Sequence, residues 1–163
     1  MPKPRNESWA WQYLNRLIAL RPRTEAELKE RLLAKGCSPE TVEKTLAKAR
    51  EAGLVDDVLF ARLFAEDRLL SRPRSRRLLA RELRAKGIPP RLAEQAAGRA
   101  LPELDERALA RRALEHRLPL WRGLAREVAE RRAFAFLLRR GFDWEVARAV
   151  VEEMLREEAW GSG

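Results

Sequence analysis

The chain has 163 residues, 45% of them hydrophobic and 36% charged, and its 34 Lys and Arg against 25 Asp and Glu give a formal net charge of +9. This length and apolar content predict one or two domains with a real core and a crowded charged surface. One Cys and one His exclude an internal disulfide and a zinc site of Cys and His ligands, and the longest apolar run has six residues, so we expect a cytoplasmic protein with no membrane span, metal or cofactor.

The periodicity of the sequence is helical throughout. Apolar residues recur at spacings of three and four, and the β-branched residues Val, Ile and Thr total only 12, so the sequence predicts an all-α protein. The first predicted helix covers residues 8–20, where Trp9, Tyr13 and Leu17 form one apolar stripe that faces a core. Pro22 ends this helix.

An internal repeat follows the first helix. Residues 21–24, Arg-Pro-Arg-Thr, return 51 residues later at 72–75 as Arg-Pro-Arg-Ser, and the match continues to Gly36 and Gly87. A weaker third copy, offset by a further 54 residues, keeps Gly141. A repeat of this length predicts a supersecondary unit that buries its apolar face against its neighbours.

Three helices are predicted for each repeat. In the first repeat, Thr24 and Glu27 form the pattern of a capping box, in which the hydroxyl accepts from a backbone amide and the carboxylate reaches back. Gly36 closes that helix, and the apolar Cys37 that follows is predicted to be buried. A second helix opens after Ser38, which precedes a proline suited to a first helical position.

Acidic residues mark the start of the third predicted helix of each repeat. Asp56 and Asp57 stand there in the first repeat, and Asp105 stands there in the second. Carboxylates at a helix start cap free backbone amides. The adjacent pair would also suit a metal or an acid/base pair, but no third carboxylate lies nearby in the sequence, so capping is the favoured role.

The excess positive charge lies in one repeat. We divide the chain into an N-terminal helix at 1–20, a first three-helix repeat at 21–71, a basic three-helix repeat at 72–123 and a divergent third repeat at 124–163. Residues 1–71 carry 13 cations and 11 anions, residues 72–123 carry 14 and 6, and residues 124–163 carry 7 and 8. Such an asymmetry suggests an anionic partner that docks at the middle of the chain.

The basic repeat differs from the first repeat mainly in the charge of its outer face. Where the first has Glu25, Ala26, Glu30 and Glu40, the second has Arg76, Arg77, Arg81 and Arg91. At about 100° per residue, Arg77, Arg81 and Arg84 fall within a sector of roughly 60°. From residue 72 to residue 91 there are eight cations and one anion, Glu82, so we expect that internal pairing cannot neutralise this segment.

These cations form the candidate binding site for a polyanion such as nucleic acid. A solvated charged face is the alternative, but such faces usually mix charges of both signs. The aromatic residues are not interleaved with the arginines, so contact with phosphates fits better than readout of bases. The candidate residues are Arg72, Arg74, Arg76, Arg77, Arg81, Arg84, Lys86 and Arg91, with Arg111 and Arg112 as weaker members. The pairs Arg131-Arg132 and Arg139-Arg140 are also weaker candidates, because acidic residues lie close to them in the sequence.

Four segments give the chain a family resemblance. The run 23–36, the turn 53–57 with Phe60-Ala61, the middle segment 82–88 and the segment 136–142 are similar in order and spacing to the RecX family of bacterial RecA regulators. The resemblance extends over about residues 9–157, although the tract 116–123 matches none of the family's motifs.

The resemblance implies both an architecture and a partner. The implied fold is an elongated, curved stack of three-helix repeats, right- or left-handed, that lodges in the groove of a RecA filament on single- or double-stranded DNA. Family members restrain filament extension, ATP hydrolysis and strand exchange without being enzymes, and we expect a monomer.

Two other functions compete with that expectation. A general DNA-binding helical protein would use the same cations on phosphates. An enzyme such as a nuclease would need clustered carboxylates or a poised base, and the sequence scatters its acids among caps and helix faces.

Overall fold

The computed structural model of the chain describes residues 5–158 and 160. Within those residues it consists of helices joined by short turns, and a single turn of 3-10 helix, Leu118–Trp121, precedes the eighth α-helix. The α-helices are α1 Glu7–Leu20, α2 Glu25–Ala34, α3 Pro39–Glu51, α4 Asp57–Ser71, α5 Arg76–Ala85, α6 Pro90–Arg99, α7 Glu106–Glu115, α8 Arg126–Arg139 and α9 Trp144–Glu157. The prediction of an all-α protein is therefore confirmed.

Polar side chains begin most of these helices. A side-chain oxygen accepts a hydrogen bond from an amide of the first turn at Asn6, Thr24, Ser38, Asp56, Ser75, Asp105 and Asp143. The predicted capping by Asp56 and Asp105 is confirmed. The capping box at α2 forms only in part, because Oε2 of Glu27 pairs with Arg21 at 3.3 Å and lies 3.9 Å from Arg23.

The helices pack in three consecutive groups, α1–α3, α4–α6 and α7–α9. Tandem three-helix units are confirmed, but the predicted boundaries after residues 20, 71 and 123 leave α1 outside the first unit and assign α4 and α7 to the unit before the one in which they pack. The reason is physical: a sequence period fixes the spacing of equivalent residues, whereas packing decides which helix begins the unit.

Two hydrophobic cores lie inside these units. One belongs to the first unit and contains Leu14, Leu28, Leu46 and the predicted core residue Cys37, which is buried. The other is continuous across the second and third units, from Ala61 on α4 to Leu155 on α9. Burial raises the pKa of the Cys37 thiol, which keeps it in the uncharged form that an apolar core requires.

The same contact joins each unit to the next. Thr24 Oγ1 at the start of α2 donates to the carbonyl of Lys86 at 2.6 Å, and the amide of Ser75 at the start of α5 donates to the carbonyl of Arg140 at 3.0 Å. Gly87 abuts Ala26, and Gly141 abuts Ser75 and Leu78, so closely that a side chain would not fit at either glycine. Both glycines have positive φ, of 90° and 87°. Each unit therefore docks its helix-closing glycine on the helix start of the preceding unit.

The molecule exposes more surface than a typical compact monomer of its mass does. Its accessible area is 10220 Å², whereas a compact monomer of 18.8 kDa exposes roughly 8,300 Å². This excess fits units joined end to end rather than around one centre. Among the described helices, none has the length and apolar character needed to cross a membrane.

Candidate nucleic-acid interface

The outer face of α5 carries a line of arginines. Burial of Leu79, Ala80 and Leu83 fixes the rotation of the helix. The opposite face consequently exposes Arg77, Arg81 and Arg84, at positions i, i+4 and i+7. We call these three residues the α5 stripe.

Most of the stripe is free of internal partners. Within the described part of the chain, the guanidinium groups of Arg81 and Arg84 form no hydrogen bond and no ion pair, whereas Arg77 Nη2 donates to the carbonyl of Gly141 at 3.2 Å. This bond places the N-terminal end of the stripe beside the turn that joins α8 and α9. The stripe thus begins at the junction between the second and third units.

Four other candidate cations remain on the surface. Arg72 at the end of α4, Arg91 at the start of α6 and Arg112 on α7 are exposed, and their guanidinium groups lack ion pairs among the described residues. Lys86 is half-buried, with Nζ 5.9 Å from the ring centroid of Phe64. Arg72, Lys86 and Arg91 belong to the second unit, as the stripe does, whereas Arg112 lies on α7 of the third unit.

Arg74 does not belong to this surface. It is only 9% exposed, and its Nη1 lies 2.6 Å from both carboxylate oxygens of Glu82, while Nε donates to the carbonyl of Arg72 at 2.9 Å. The one acid of the segment is thus held by its most buried arginine, which removes Arg74 from the candidate surface and leaves the other seven cations of the segment without that acid as a partner.

Arg76 also points inward. Its two terminal nitrogens donate to four carbonyls at and beyond the end of α6, at 2.5 to 2.9 Å; the acceptors belong to Ala97, Ala100, Leu101 and Leu104. Ala97 and the C-cap residue Ala100 belong to the end of α6, where carbonyls lack helical partners, and Leu101 and Leu104 lie in the turn that follows. Arg76 is thus a structural cap, and its predicted place in the binding surface is wrong for that reason.

Arg111 is engaged with the last helix. Its two terminal nitrogens lie 3.1 Å from Glu153 and 2.8 Å from Glu157. The hydrogen bond with Arg111 lowers the pKa of Glu157 and raises that of Arg111. The neighbouring Arg112 remains exposed, so the structure separates the two members of this weaker pair.

Two further arginines lie next to the candidate surface: Arg140, a member of the weaker candidate pair Arg139-Arg140, and Arg117. Arg117 and Arg140 stack over the ring of Phe136, with Cζ 5.0 and 5.1 Å from its centroid. Arg140 occupies the position before the closing glycine that Lys86 has in the second unit, which is a usable sequence signal. Arg117 lies in the tract 116–123, where no repeat or motif marks it.

The described residues hold no group of three or more His, Cys, Asp or Glu arranged to bind a metal ion. Asp56 and Asp57, the adjacent acids that would suit a metal site, instead cap two different helices. Asp56 caps α4, and Asp57 accepts a hydrogen bond from the amide of Glu25 at the start of α2, at 3.0 Å. What the surface offers chemically is a set of fixed cations on rigid helices, which suits a polyanion.

Models of known protein domains match three consecutive segments of the chain. They match the chain in order, with the first three-helix domain of RecX at residues 10–48, the second at 56–96 and the third at 105–151. The chain belongs to the RecX family. The three matched segments coincide with the three packed groups of helices, so the family's division of the chain agrees with the packing.

Relatives of known name agree with this assignment over most of their length. The chain is 40% identical over 141 residues to the regulatory protein RecX of Amycolatopsis mediterranei, which covers 86% of this chain and 80% of that one. It is 36% identical over 143 residues to the regulatory protein RecX of Thermobifida fusca, with 88% and 77% covered. The RecX family is thus a family of regulatory proteins.

A solved structure shares the fold. The crystal structure of RecX from Lactobacillus salivarius superposes with a TM-score of 0.74 over 91% of this chain and 96% of that one, at 15% identity. This likeness supports the arrangement of helices and carries no information on individual contact residues.

Proposed function

We propose that this RecX-family protein is a non-catalytic regulator that binds the RecA filament on DNA and restrains ATP hydrolysis, filament extension and strand exchange by RecA. The observation that carries the proposal is the α5 stripe, in which guanidinium groups lie on one helix face without counterions among the described residues. Regulation fits the name of its relatives, and RecA follows from the family resemblance.

The contact surface in this proposal contains Arg72, Arg77, Arg81, Arg84, Lys86, Arg91 and Arg112. The line of guanidinium donors on one helix face supports such a role, because the phosphates along a nucleic-acid strand provide a matching line of acceptors. Guanidinium groups bind phosphate oxygens through parallel hydrogen bonds. These contacts fix position without reading sequence, as a protein that acts along a whole filament requires.

Charge reversal within the stripe tests the proposal. Arg81→Glu with Arg84→Glu is the sharpest variant, since neither side chain has an internal partner and both exposed sites tolerate glutamate in a helix. We expect unchanged helical circular dichroism and at least a 10-fold weaker suppression of RecA ATPase on single-stranded DNA, because several phosphate contacts are lost and replaced by repulsion.

A matched control separates the stripe from net charge. Arg132→Glu with Arg139→Glu lies on the exposed face of α8, and each double variant lowers the formal net charge from +9 to +5 by removing two cations and adding two anions. The control should retain most of the suppression. Equal suppression by the wild type and the stripe variant would remove the stripe from the mechanism.

General DNA binding is the second candidate function, favoured by the same free cations. About five phosphate contacts would give a slope near −4.5 for log affinity against log salt on duplex DNA and near −3.5 on single strands. The two functions differ in their preferred target. A filament regulator binds RecA-coated DNA far more tightly than naked DNA, whereas a general binder shows equal or greater affinity for naked DNA.

Stoichiometry then distinguishes two modes of regulation. Suppression at far less than one copy per RecA protomer indicates blocked growth at filament ends, and a requirement near saturation indicates occupancy along the filament. Sedimentation of the free protein tests the accompanying expectation of a monomer. The cytoplasmic location is a separate expectation.

A further inference from the structure

A cavity of about 180 Å³ lies between the end of α4 and the third unit. Three of the residues that line it are arginines, Arg72, Arg117 and Arg140, and His116 and Ser71 also line it. Among the described residues, no aspartate or glutamate lines this cavity. Glu82 acts on the charge of Arg140, but both of its carboxylate oxygens are already held by Arg74.

The arginines of this cavity are held in place by neutral groups. Arg117 and Arg140 stack over Phe136, and Arg140 Nη1 lies 3.5 Å from the carbonyl of Arg72. Stacking on an aromatic face fixes a guanidinium without neutralising it. The fold thus brings three positive charges to one cavity and supplies no counterion there.

The electrostatics of Arg140 agree with this geometry. Burial lowers the pKa of its guanidinium, and the charges of Arg74, Arg72 and Arg117 lower it further. Like charges at close range destabilise one another unless an anion is bound between them. A bound anion would therefore be favoured by the repulsion that it relieves.

We infer that this cavity, which we call the junction pocket, binds one phosphate group of a polynucleotide backbone. Because Arg77 of the stripe bonds to Gly141, the residue after Arg140, the pocket lies at the N-terminal end of the stripe. A strand that follows the stripe therefore reaches the pocket. The two non-bridging oxygens of a backbone phosphate accept hydrogen bonds from guanidinium groups, and the adjacent stripe favours a strand with phosphates at regular spacing over an isolated carboxylate. The inference rests on the proposed function in that both use a nucleic-acid strand.

Neutralising two rim residues tests the pocket. Arg72→Gln with Arg117→Gln leaves the half-buried Arg140 and its carbonyl contact in place. We expect binding of a short oligodeoxythymidylate to weaken by about 10-fold or more, and the slope of log affinity against log salt to become shallower by about 0.7, the value for one single-strand phosphate. Arg132→Gln with Arg139→Gln removes the same charge elsewhere and should change both quantities much less.

Side-chain NMR locates the anion directly. The Nε–Hε signals of Arg72, Arg117 and Arg140 should shift on titration with the oligodeoxythymidylate, and more weakly with inorganic phosphate. Shifts confined to Arg81 and Arg84 would overturn the pocket, as would affinity of the rim variant equal to that of its control. Polyglutamate that shifts the three signals as strongly as the oligonucleotide would assign the pocket to an acidic protein surface and overturn the inference.

These outcomes separate the pocket from the proposed function. If the wild-type protein suppresses RecA ATPase but the oligonucleotide does not shift the NMR signals of the pocket arginines, the proposed function stands and the pocket inference is refuted. A protein whose pocket signals respond to the oligonucleotide, but which leaves RecA ATPase unaffected, retains the pocket and loses the function.

Discussion

Helices α2 and α5 occupy equivalent places in the first and second units but present opposite charges. Both have ten residues, both begin at a hydroxyl cap, and both close at a glycine with φ near 90°. Glu30 on α2 corresponds to Arg81 on α5. The difference shows that backbone, caps and buried leucines define the unit, while its outer face is free to acquire a separate function.

The first residues of the two helices also differ in the groups that they contact. Glu25 of α2 pairs with Arg50 near the end of α3, at 2.6 Å. Arg76 of α5 instead reaches the carbonyls at the end of α6. Helix α3 is followed by Gly53 with φ of 72°, whereas the turn after α6 contains Leu101 with φ of 45°. An arginine thus supports a helix end that lacks a closing glycine.

Removal of this support should have the largest effect. Arg76→Met leaves four carbonyls without their donor, and each charged hydrogen bond contributes about 1.5–3 kcal/mol, so we expect a loss of about 3 kcal/mol or more in the free energy of unfolding. The equivalent Glu25→Gln alters only a largely solvated ion pair and should cost less than about 1 kcal/mol. Urea unfolding measures both, and similar costs would refute the structural assignment of Arg76.

The closing glycines give the next largest effect. Gly141→Ala places a methyl group against Ser75 and Leu78, and Gly87→Ala places one against Ala26. Positive φ costs alanine about 1–2 kcal/mol, and overpacking adds about 1–3 kcal/mol.

Gly36→Ala is the matched control for these two variants. Gly36 has the same backbone conformation, with φ of 92°, but apart from its two chain neighbours no described residue has a heavy atom within 4 Å of where its Cβ would be. Thermal unfolding of the three variants should therefore separate the backbone cost from the cost of the junction. A Gly36 variant as unstable as the other two would indicate that backbone conformation accounts for the whole effect.

The smallest effect concerns the acids that cap α2 and α5 across the junctions. Asp57 and Glu106 each accept from the first amide of the helix in the preceding unit, but Glu106 Oε2 is buried without a partner. Burial raises the pKa of Glu106 in the folded state. Ionisation therefore destabilises the fold as pH rises from the unfolded pKa through the folded pKa.

Glu106→Gln removes this pH-dependent loss. Relative to the wild type, its free energy of unfolding should increase across that pH window and remain constant on either side. Urea unfolding from about pH 4 to pH 8 measures the difference. A difference that stays constant or decreases with rising pH would contradict the prediction.

Sequence patterns predicted the local structure better than the contacts of individual arginines. Caps at Thr24, Ser75 and Asp105 were predictable because a cap bonds within its own turn. The inward course of Arg74 and Arg76 was not, since it depends on where Glu82 and the end of α6 lie in three dimensions. The stripe itself needed only helix periodicity and the buried leucines, so its exposure could be predicted.

The helix lengths explain why the third copy of the repeat is weaker than the other two. Helix α8 has 14 residues, whereas α2 and α5 have ten. This difference is about one turn of helix. Equivalent residues at the two ends of α8 therefore follow different offsets, and no single period aligns both.

The junction contact makes the two ends of the molecule unequal. The start of α8, where a further unit would attach, has Ala125 and no side-chain cap, while at the opposite end a Cβ on Gly36 would meet no described residue other than its chain neighbours within 4 Å. A protein with this architecture can therefore lengthen ahead of its first unit by gaining only a suitable helix start, whereas growth beyond its last unit would first require a new cap residue. Modular gain and loss in such chains should occur unequally at their two ends.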